Sequence, residues 1–314
     1  MRSIAYAAGL ALCITLAQPA SAQSRATLDT TDVDLFYRLY DATDGSPTAE
    51  QIQSRYIDIG SPGLRTFFEA RRTTAGRVVE AMTSKPDLYL QARECSTVLP
   101  RVKDQVDVAL AKLVRLYPEA RLPSVTLAVG RGRPVAIGSP VTGVQVGLEA
   151  LCATDFIEPD IERRFVGVLI HEYVHAQQNP ALTEKTNPSV LETALLEGGA
   201  EFVTEVLIGR PAYTYFEPLT RGREHQIETA FAADLDKTDL SDWFYNSSSE
   251  KPSDIGYWVG HRIAKSYYAR ASDKSAALRD ILTVSDAHAF LSALGAGTAP
   301  HRVGVLHPPL RPRI

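Results

Sequence analysis

Six apolar residues in a row, Phe165-Val166-Gly167-Val168-Leu169-Ile170, run straight into His171-Glu172-Tyr173-Val174-His175. Pro159 and Asp160 mark a helix start before this stretch, and Asn179-Pro180 mark a stop after it. A helix that apolar is buried, and two histidines and a glutamate are costly in a core unless each finds a partner. Residues i and i+4 lie one above the other on one helix face, so both imidazoles can reach a single ion. Zinc takes histidine nitrogen at about 2.0–2.1 Å and, in catalytic sites, three protein ligands with one position left open. Glu172 stands one step round the helix, near such an ion without being forced to bind it, where a base for an activated water belongs. The plainer alternative is a pair of surface histidines, and it sits badly beside so apolar a run.

A third ligand is expected downstream. Pro188 to Glu205 has helical apolar spacing and carries Glu192, Glu197, Glu201 and Glu205. Glu197 is followed by Gly198-Gly199, which would let a second helix approach closely. Glu201 lies one turn further along the same face, placed to accept a hydrogen bond from the far nitrogen of a ligand histidine. Glu192 stands off that line, and Glu205 falls near the helix end. Glu197 is therefore assigned as the ligand and Glu201 as its outer partner. A solvated charged stripe is the alternative, but two glycines inside a helix are costly without a packing reason.

His171-Glu172-Tyr173-Val174-His175 followed by Glu197-Gly198-Gly199-Ala200-Glu201-Phe202 resembles the gluzincin clan of zinc metallopeptidases. In that clan a Glu-Gly-x-Ala segment on a second helix supplies the third ligand. Within it the chain looks most like the predicted zinc-dependent proteases of bacterial envelopes, which also tend to carry a later Gly-Tyr-x-x-Gly helix. Here that segment is Gly256-Tyr257-Trp258-Val259-Gly260-His261. The resemblance covers roughly residues 125–295 and implies a thermolysin-like catalytic core. The gap of 21 residues between His175 and Glu197 is slightly longer than in the best-known members. The Gly-x-Met-Glu-Asn signature of the clan's aminopeptidases is absent, so exopeptidase activity is not carried over. Gly147-Leu148-Glu149 occupies a comparable place before the zinc helix.

Three short β-branched runs precede that helix: Val125–Val129, Val135–Ile137 and Val144–Leu148. Gly130-Arg131-Gly132-Arg133-Pro134 lacks the Lys-Ser/Thr of a phosphate loop and reads as a hairpin turn. The last of the three strands is expected to pair with a substrate backbone. Further upstream, helices are expected over Asp32–Tyr40, from Pro62 to just before Pro86, and over Val98–Tyr117, where Pro118 stops the last. The fold class is thus α+β and mostly helical, with a small sheet beside the zinc-binding helix pair. The expected division is a helical region over 23–121, a metallopeptidase-like domain over 122–294, and a proline-rich tail over 295–314.

Residues 1–22 read as a secretory signal peptide. Met1-Arg2 supplies a positive start, Ile4–Ala17 an apolar run too short to span a membrane, and Ala20-Ser21-Ala22 a cleavage site. A lipoprotein reading at Cys13 has bulky Leu12 where a small residue is wanted. Losing 22 of 314 residues leaves 292, and since Arg2 goes with them the net charge moves from −4 to −5. Neither value, nor any basic run, suits a nucleic-acid partner. No later segment is apolar enough to cross a membrane. Cys95 and Cys152 are the two cysteines left, and in an oxidising compartment a disulfide between them is favoured over two free thiols.

The expected activity is that of a periplasmic or secreted zinc peptidase acting on a peptide or protein substrate. Zn²⁺ sits on His171, His175 and Glu197, with Glu172 as general base. Such a site also needs a donor for the developing oxyanion, worth about 2.7–4 kcal/mol when well placed. Tyr257 and His261 are four apart on one expected helix face and are the candidates, although Trp258, Val259 and Ile263 around Tyr257 would equally suit a packing role. Two other readings stay open: an envelope protein that binds zinc without turnover, and a zinc hydrolase of a non-peptide amide or ester.

Overall fold

The computed structural model describes residues 28–248, 251 and 253–294. The expected signal segment, 1–22, and tail, 295–314, lie outside them. Six helices dominate the first part: α1 (Thr31–Ala42), α2 (Ala49–Ile52), α3 (Pro62–Ala70), α4 (Ala75–Ser84), α5 (Pro86–Cys95) and α6 (Leu99–Leu116). The single helical pattern expected from Pro62 to before Pro86 is two helices. Arg72 turns into the left-handed region at φ 45°, and the Thr74 hydroxyl then accepts the Arg77 amide to start α4. Pro86, read as a stop, also opens α5, because a proline in the first helical turn forfeits no intrahelical hydrogen bond.

The sheet has four strands: β1 (Leu28–Asp29), β2 (Val125–Ala128), β3 (Ala136–Ser139) and β4 (Gly143–Gly147). Their order is β1-β2-β4-β3; β1 and β4 run parallel to β2, and β3 is antiparallel to β4. Two expectations change. Gly130–Pro134 is not a hairpin turn, since β2 and β3 are not neighbours; the hairpin joins β3 to β4. β4 is paired on both sides and has no edge to offer a substrate, whereas β3 is an outer strand. Leu28–Asp29 has no sequence signal, because a two-residue strand carries no period to read.

Among the described residues the helices that follow are α7 (Leu148–Cys152), α8 (Ile161–His175), α9 (Pro180–Thr183), α10 (Val190–Ile208), α11 (Phe216–Thr220), α12 (Glu224–Asp234), α13 (Ile255–Arg270), α14 (Lys274–Leu282) and α15 (Ala287–Ala293). The architecture is α+β, helix-rich with one small mixed sheet. Among the described residues no helix is long and apolar enough to cross a membrane. Cys95 at the end of α5 and Cys152 at the end of α7 are joined by a disulfide, 6.1 Å between their Cα atoms.

The apolar core passes through the expected boundary at 121 and 122 without a break. One cluster takes in Phe36, Tyr56, Phe67, Leu113, Leu127 and Val146 together with Phe165, Val168 and Leu169 of α8. A second gathers Phe216, Phe231, Trp243, Phe244 and Tyr257. Helix α10 belongs to both: Val190, Leu191, Ala194 and Leu195 pack into the second cluster, and Ala200, Phe202, Val203 and Leu207 into the first. Glu197 lies between those two sets, so the fold places a charged side chain at the seam of its two cores.

Candidate metal centre

Both helices that supply the centre have firm ends. The Asp160 carboxylate accepts the Arg163 amide at the start of α8. Ser189 and Glu192 form a reciprocal capping box on α10, and Gly209 in the left-handed conformation ends that helix. Glu192 is thereby accounted for, since it also pairs with Lys185 at 2.7 Å. Two close approaches then fix the surroundings. A β-carbon on Gly138 of β3 would fall 2.2 Å from the Glu172 carbonyl oxygen, and one on Gly198 of α10 would fall 2.2 Å from the Gly260 carbonyl carbon. Only glycine permits each contact.

His171 Nε2, His175 Nε2 and Glu197 Oε2 converge. His171 and His175 are 3.0 Å apart, and Glu197 Oε2 is 3.3 Å from the first and 3.2 Å from the second. An ion held at about 2.0–2.1 Å with tetrahedral angles sets its ligand atoms about 3.3–3.4 Å apart. These three residues could therefore hold a metal ion, and the donor set of two imidazoles and one carboxylate suits zinc. His171 is 1% exposed and Glu197 9%. Three polar groups converging there have no rationale in apolar packing.

Each converging side chain has an outer partner. Glu201 Oε1 faces His171 Nδ1 at 2.6 Å, and its Oε2 accepts the Tyr213 amide at 3.1 Å. Gln178 Oε1 lies 2.7 Å from His175 Nδ1, and the Gln178 amide nitrogen donates to the Leu196 carbonyl. The Tyr245 hydroxyl donates to Glu197 Oε1 at 2.8 Å. Those contacts occupy the side of each ring away from the centre and leave both Nε2 atoms facing it. Sequence reasoning found Glu201 from its helical spacing but missed Gln178 and Tyr245. Gln178 offered one signal, a polar residue one turn past His175 at the close of a buried helix.

Charge binds the cluster strongly. Burial disfavours the His171 imidazolium, but Glu197 and Glu201 outweigh it and hold that group up at about 10. His175 also rises, with burial overcome by Glu197. Burial alone would raise Glu197, yet the two histidines bring it well below the usual carboxylate range. Glu172 is raised, chiefly by burial against the pull of His175 and His171, and the Gly138 backbone amide hydrogen-bonds it. Tyr245 is pushed up chiefly by the Glu197 charge, and Tyr257 first by burial and then by Glu197, so both phenols stay protonated donors.

The centre opens into a cleft of about 590 Å³ lined by β3, α8 and α10, with Glu172, Tyr245 and Tyr257 on its wall. The Tyr257 ring stacks 6.2 Å from that of His171, and its hydroxyl has no hydrogen-bond partner among the described residues. His261 does not enter this cleft. Its Nε2 meets Glu205 Oε2 at 2.5 Å, and it lines a second hollow on the other side of Glu201 and Tyr213. Four residues place Tyr257 and His261 one turn apart, but α13 crosses α10 so closely that this separation puts them on different sides of the crossing. Glu149 is also absent from the cleft: it is buried, and its Oε1 accepts the Gly130 and Gly132 amides at 2.9 and 2.8 Å. That is the job of the Gly-Arg-Gly-Arg-Pro segment, which is a loop tied down at its start and leads into β3.

On β3, the Val135 carbonyl accepts from Gly147, and the register pairs Ile137 with Gln145 and Ser139 with Gly143. In an antiparallel ladder alternate residues bond the same neighbour, so Ala136 and Gly138 turn their backbone groups to the other edge. No other strand among the described residues pairs with that edge, which lines the cleft.

Residues 155–290 match a family model described as predicted Zn-dependent protease (DUF2268). No curated protein and no solved structure matches the chain.

Proposed function

We propose that this chain is an exported zinc peptidase of gluzincin type that hydrolyses peptide bonds in extended substrates. The observation that carries the reading is the convergence of His171 Nε2, His175 Nε2 and Glu197 Oε2 within 3.3 Å of one another, with the buried Glu172 beside them. The match of residues 155–290 to a family model described as predicted Zn-dependent protease supports it. When bound, zinc supplies a Lewis acid that acidifies a water and polarises a carbonyl.

The chain's own residues do the rest. Glu172, with its basicity raised by burial, takes the proton of the attacking water and passes it to the leaving amine. Tyr257, with a hydroxyl that no described residue hydrogen-bonds, donates to the oxyanion as it forms. His261 is left out of this scheme because Glu205 holds it beyond the cleft. Ala136 and the Gly138 carbonyl on the open edge of β3 bond the substrate backbone and align it over Glu172. Recognition of that kind reads main chain more than side chain, and a peptide meets it better than an isolated ester.

Export is supported by the signal-like start ending at Ala22 and by the Cys95–Cys152 bond, which suits an oxidising compartment such as the periplasm. The test is turnover of a peptide library by the mature protein and by Glu172→Gln. The reading expects both to carry zinc and only the wild type to cleave. A wild type that binds zinc and cleaves no peptide would favour a non-catalytic zinc protein.

A further inference from the structure

We propose that Tyr245 is a positioning residue that keeps Glu197 a one-oxygen ligand and so keeps a coordination position open. The proposal rests on the metal-centre reading above. Glu197 divides its two oxygens: Oε2 faces the histidine nitrogens, and Oε1 accepts the Tyr245 hydroxyl at 2.8 Å. A carboxylate with no second partner is free to rotate and offer both oxygens to a cation. A phenol on Oε1 opposes that rotation, since the oxygen would have to give up a charge-assisted hydrogen bond to join the ion.

The backbone around Tyr245 is arranged at a cost that packing does not explain. Its φ is +57°, in the left-handed region that a bulky side chain seldom adopts. The residue is 66% exposed, so no burial of the ring holds it there. Both flanks do. Trp243 and Phe244 are buried just before it. Just after it, Asn246 and Asp254 exchange hydrogen bonds, each backbone amide donating at 2.8 Å to the other's side chain. The Tyr215 hydroxyl reaches Asp254 Oδ2 at 3.3 Å as well. A strained backbone clamped on both sides delivers one contact, the phenol on Glu197, and strain of this kind persists where the surrounding structure over-determines it.

Position separates Tyr245 from the other two outer partners. Glu201 is 1% exposed and Gln178 is 2% exposed, deep behind the histidines. Tyr245 stands at the rim of the cleft, on the third ligand, so it acts on the group with the most freedom to change its coordination.

Tyr245→Phe in the full mature protein removes one hydroxyl and leaves the ring. The probes are Co²⁺ and Zn²⁺ added alone to metal-free protein, read by the visible absorption of the cobalt form and by the zinc dissociation constant. The wild type is expected to give the intense absorption of a four-coordinate cobalt. The variant is expected to lose that intensity several-fold as Glu197 takes up both oxygens, with zinc binding weaker by about 10–100-fold. Tyr257→Phe should leave the cobalt spectrum as it is, because that hydroxyl touches no ligand. A Tyr245→Phe spectrum and zinc affinity equal to wild type would overturn the proposal while leaving the metal centre standing. A wild type that takes up neither ion would overturn both.

Discussion

Gly198 of α10 and Gly260 of α13 meet backbone to backbone. A β-carbon on Gly198 would fall 2.2 Å from the Gly260 carbonyl carbon, and one on Gly260 would fall 1.8 Å from the Ala194 carbonyl oxygen. Glu197 precedes one of these glycines and Tyr257 lies a turn before the other, so the crossing sets the distance between them. Gly198→Ala and Gly260→Ala should each destabilise the fold by about 2–3 kcal/mol or more, since backbone cannot step aside as a side chain can. Gly199 gives the contrast. Its β-carbon would meet Ile281 at 3.5 Å, an ordinary contact. Gly199→Ala should therefore be neutral or stabilising by up to about 1 kcal/mol, the helix-propensity gain. Denaturant melts of the three variants check this, and equal losses at 198 and 199 would contradict it.

Glu149 does not line the cleft and should still be costly to remove. It is 1% exposed and is the sole side-chain acceptor for the Gly130 and Gly132 amides among the described contacts. Its charge also lies near buried Arg71, whose guanidinium is stacked 3.8 Å over Phe67. Glu149→Ala should lose about 3–5 kcal/mol by leaving two amides and a buried cation without their partner. Thermal melts decide it, and a loss under about 1 kcal/mol would contradict the assignment.

The Glu205 side chain gives a pH dependence with a definite sign. The His261 hydrogen bond, helped by Lys265 and opposed by burial, brings its pKa from 4.5 to about 2. A depressed carboxylate contributes stability that is complete above the unfolded value and is lost as pH falls through the folded one. Wild type should exceed Glu205→Gln by about 1 kcal/mol from pH 7 down to about 5, a figure discounted because 26% of the side chain is wet. Below about pH 4.5 the difference should shrink, and it should vanish near pH 2. A gap that widened on acidification would contradict the pairing.

Tyr257 and His261 should separate cleanly in kinetics. Tyr257→Phe removes a donor from the cleft wall and is expected to lower kcat/KM on a peptide by about 10²-fold, mostly in kcat. His261→Ala acts on the far side of Glu201 and should leave kcat/KM within about threefold. The reverse ranking would return the oxyanion role to His261.

What was legible in the sequence follows the range of the interactions involved. His171, Glu172 and His175 stand within one helical turn, so their convergence follows from helix geometry alone, and Glu201 follows Glu197 by the same i, i+4 rule. The role of Gly198 could be guessed as a close approach, but its partner Gly260 is set by how α13 returns across α10. Tyr245 lies 48 residues beyond Glu197 in an irregular segment, where no periodicity marks a side chain as facing anything. Choosing β4 over β3 as the substrate strand had a similar cause. Short β-branched runs look alike one at a time, and which becomes the edge depends on pairing with β2. His261 was misplaced in the same way, since helical spacing gives an angle around α13 and says nothing of which cavity lies there.

His171, His175 and Glu197 are proposed to hold one zinc ion between them. The zinc content of purified mature protein after dialysis against trace metal, compared with that of His175→Ala and Glu197→Ala and with folding of each verified by circular dichroism, tests this directly. One equivalent of zinc is expected in the wild type and a small fraction of that in either variant. Undiminished zinc in the folded variants would contradict it.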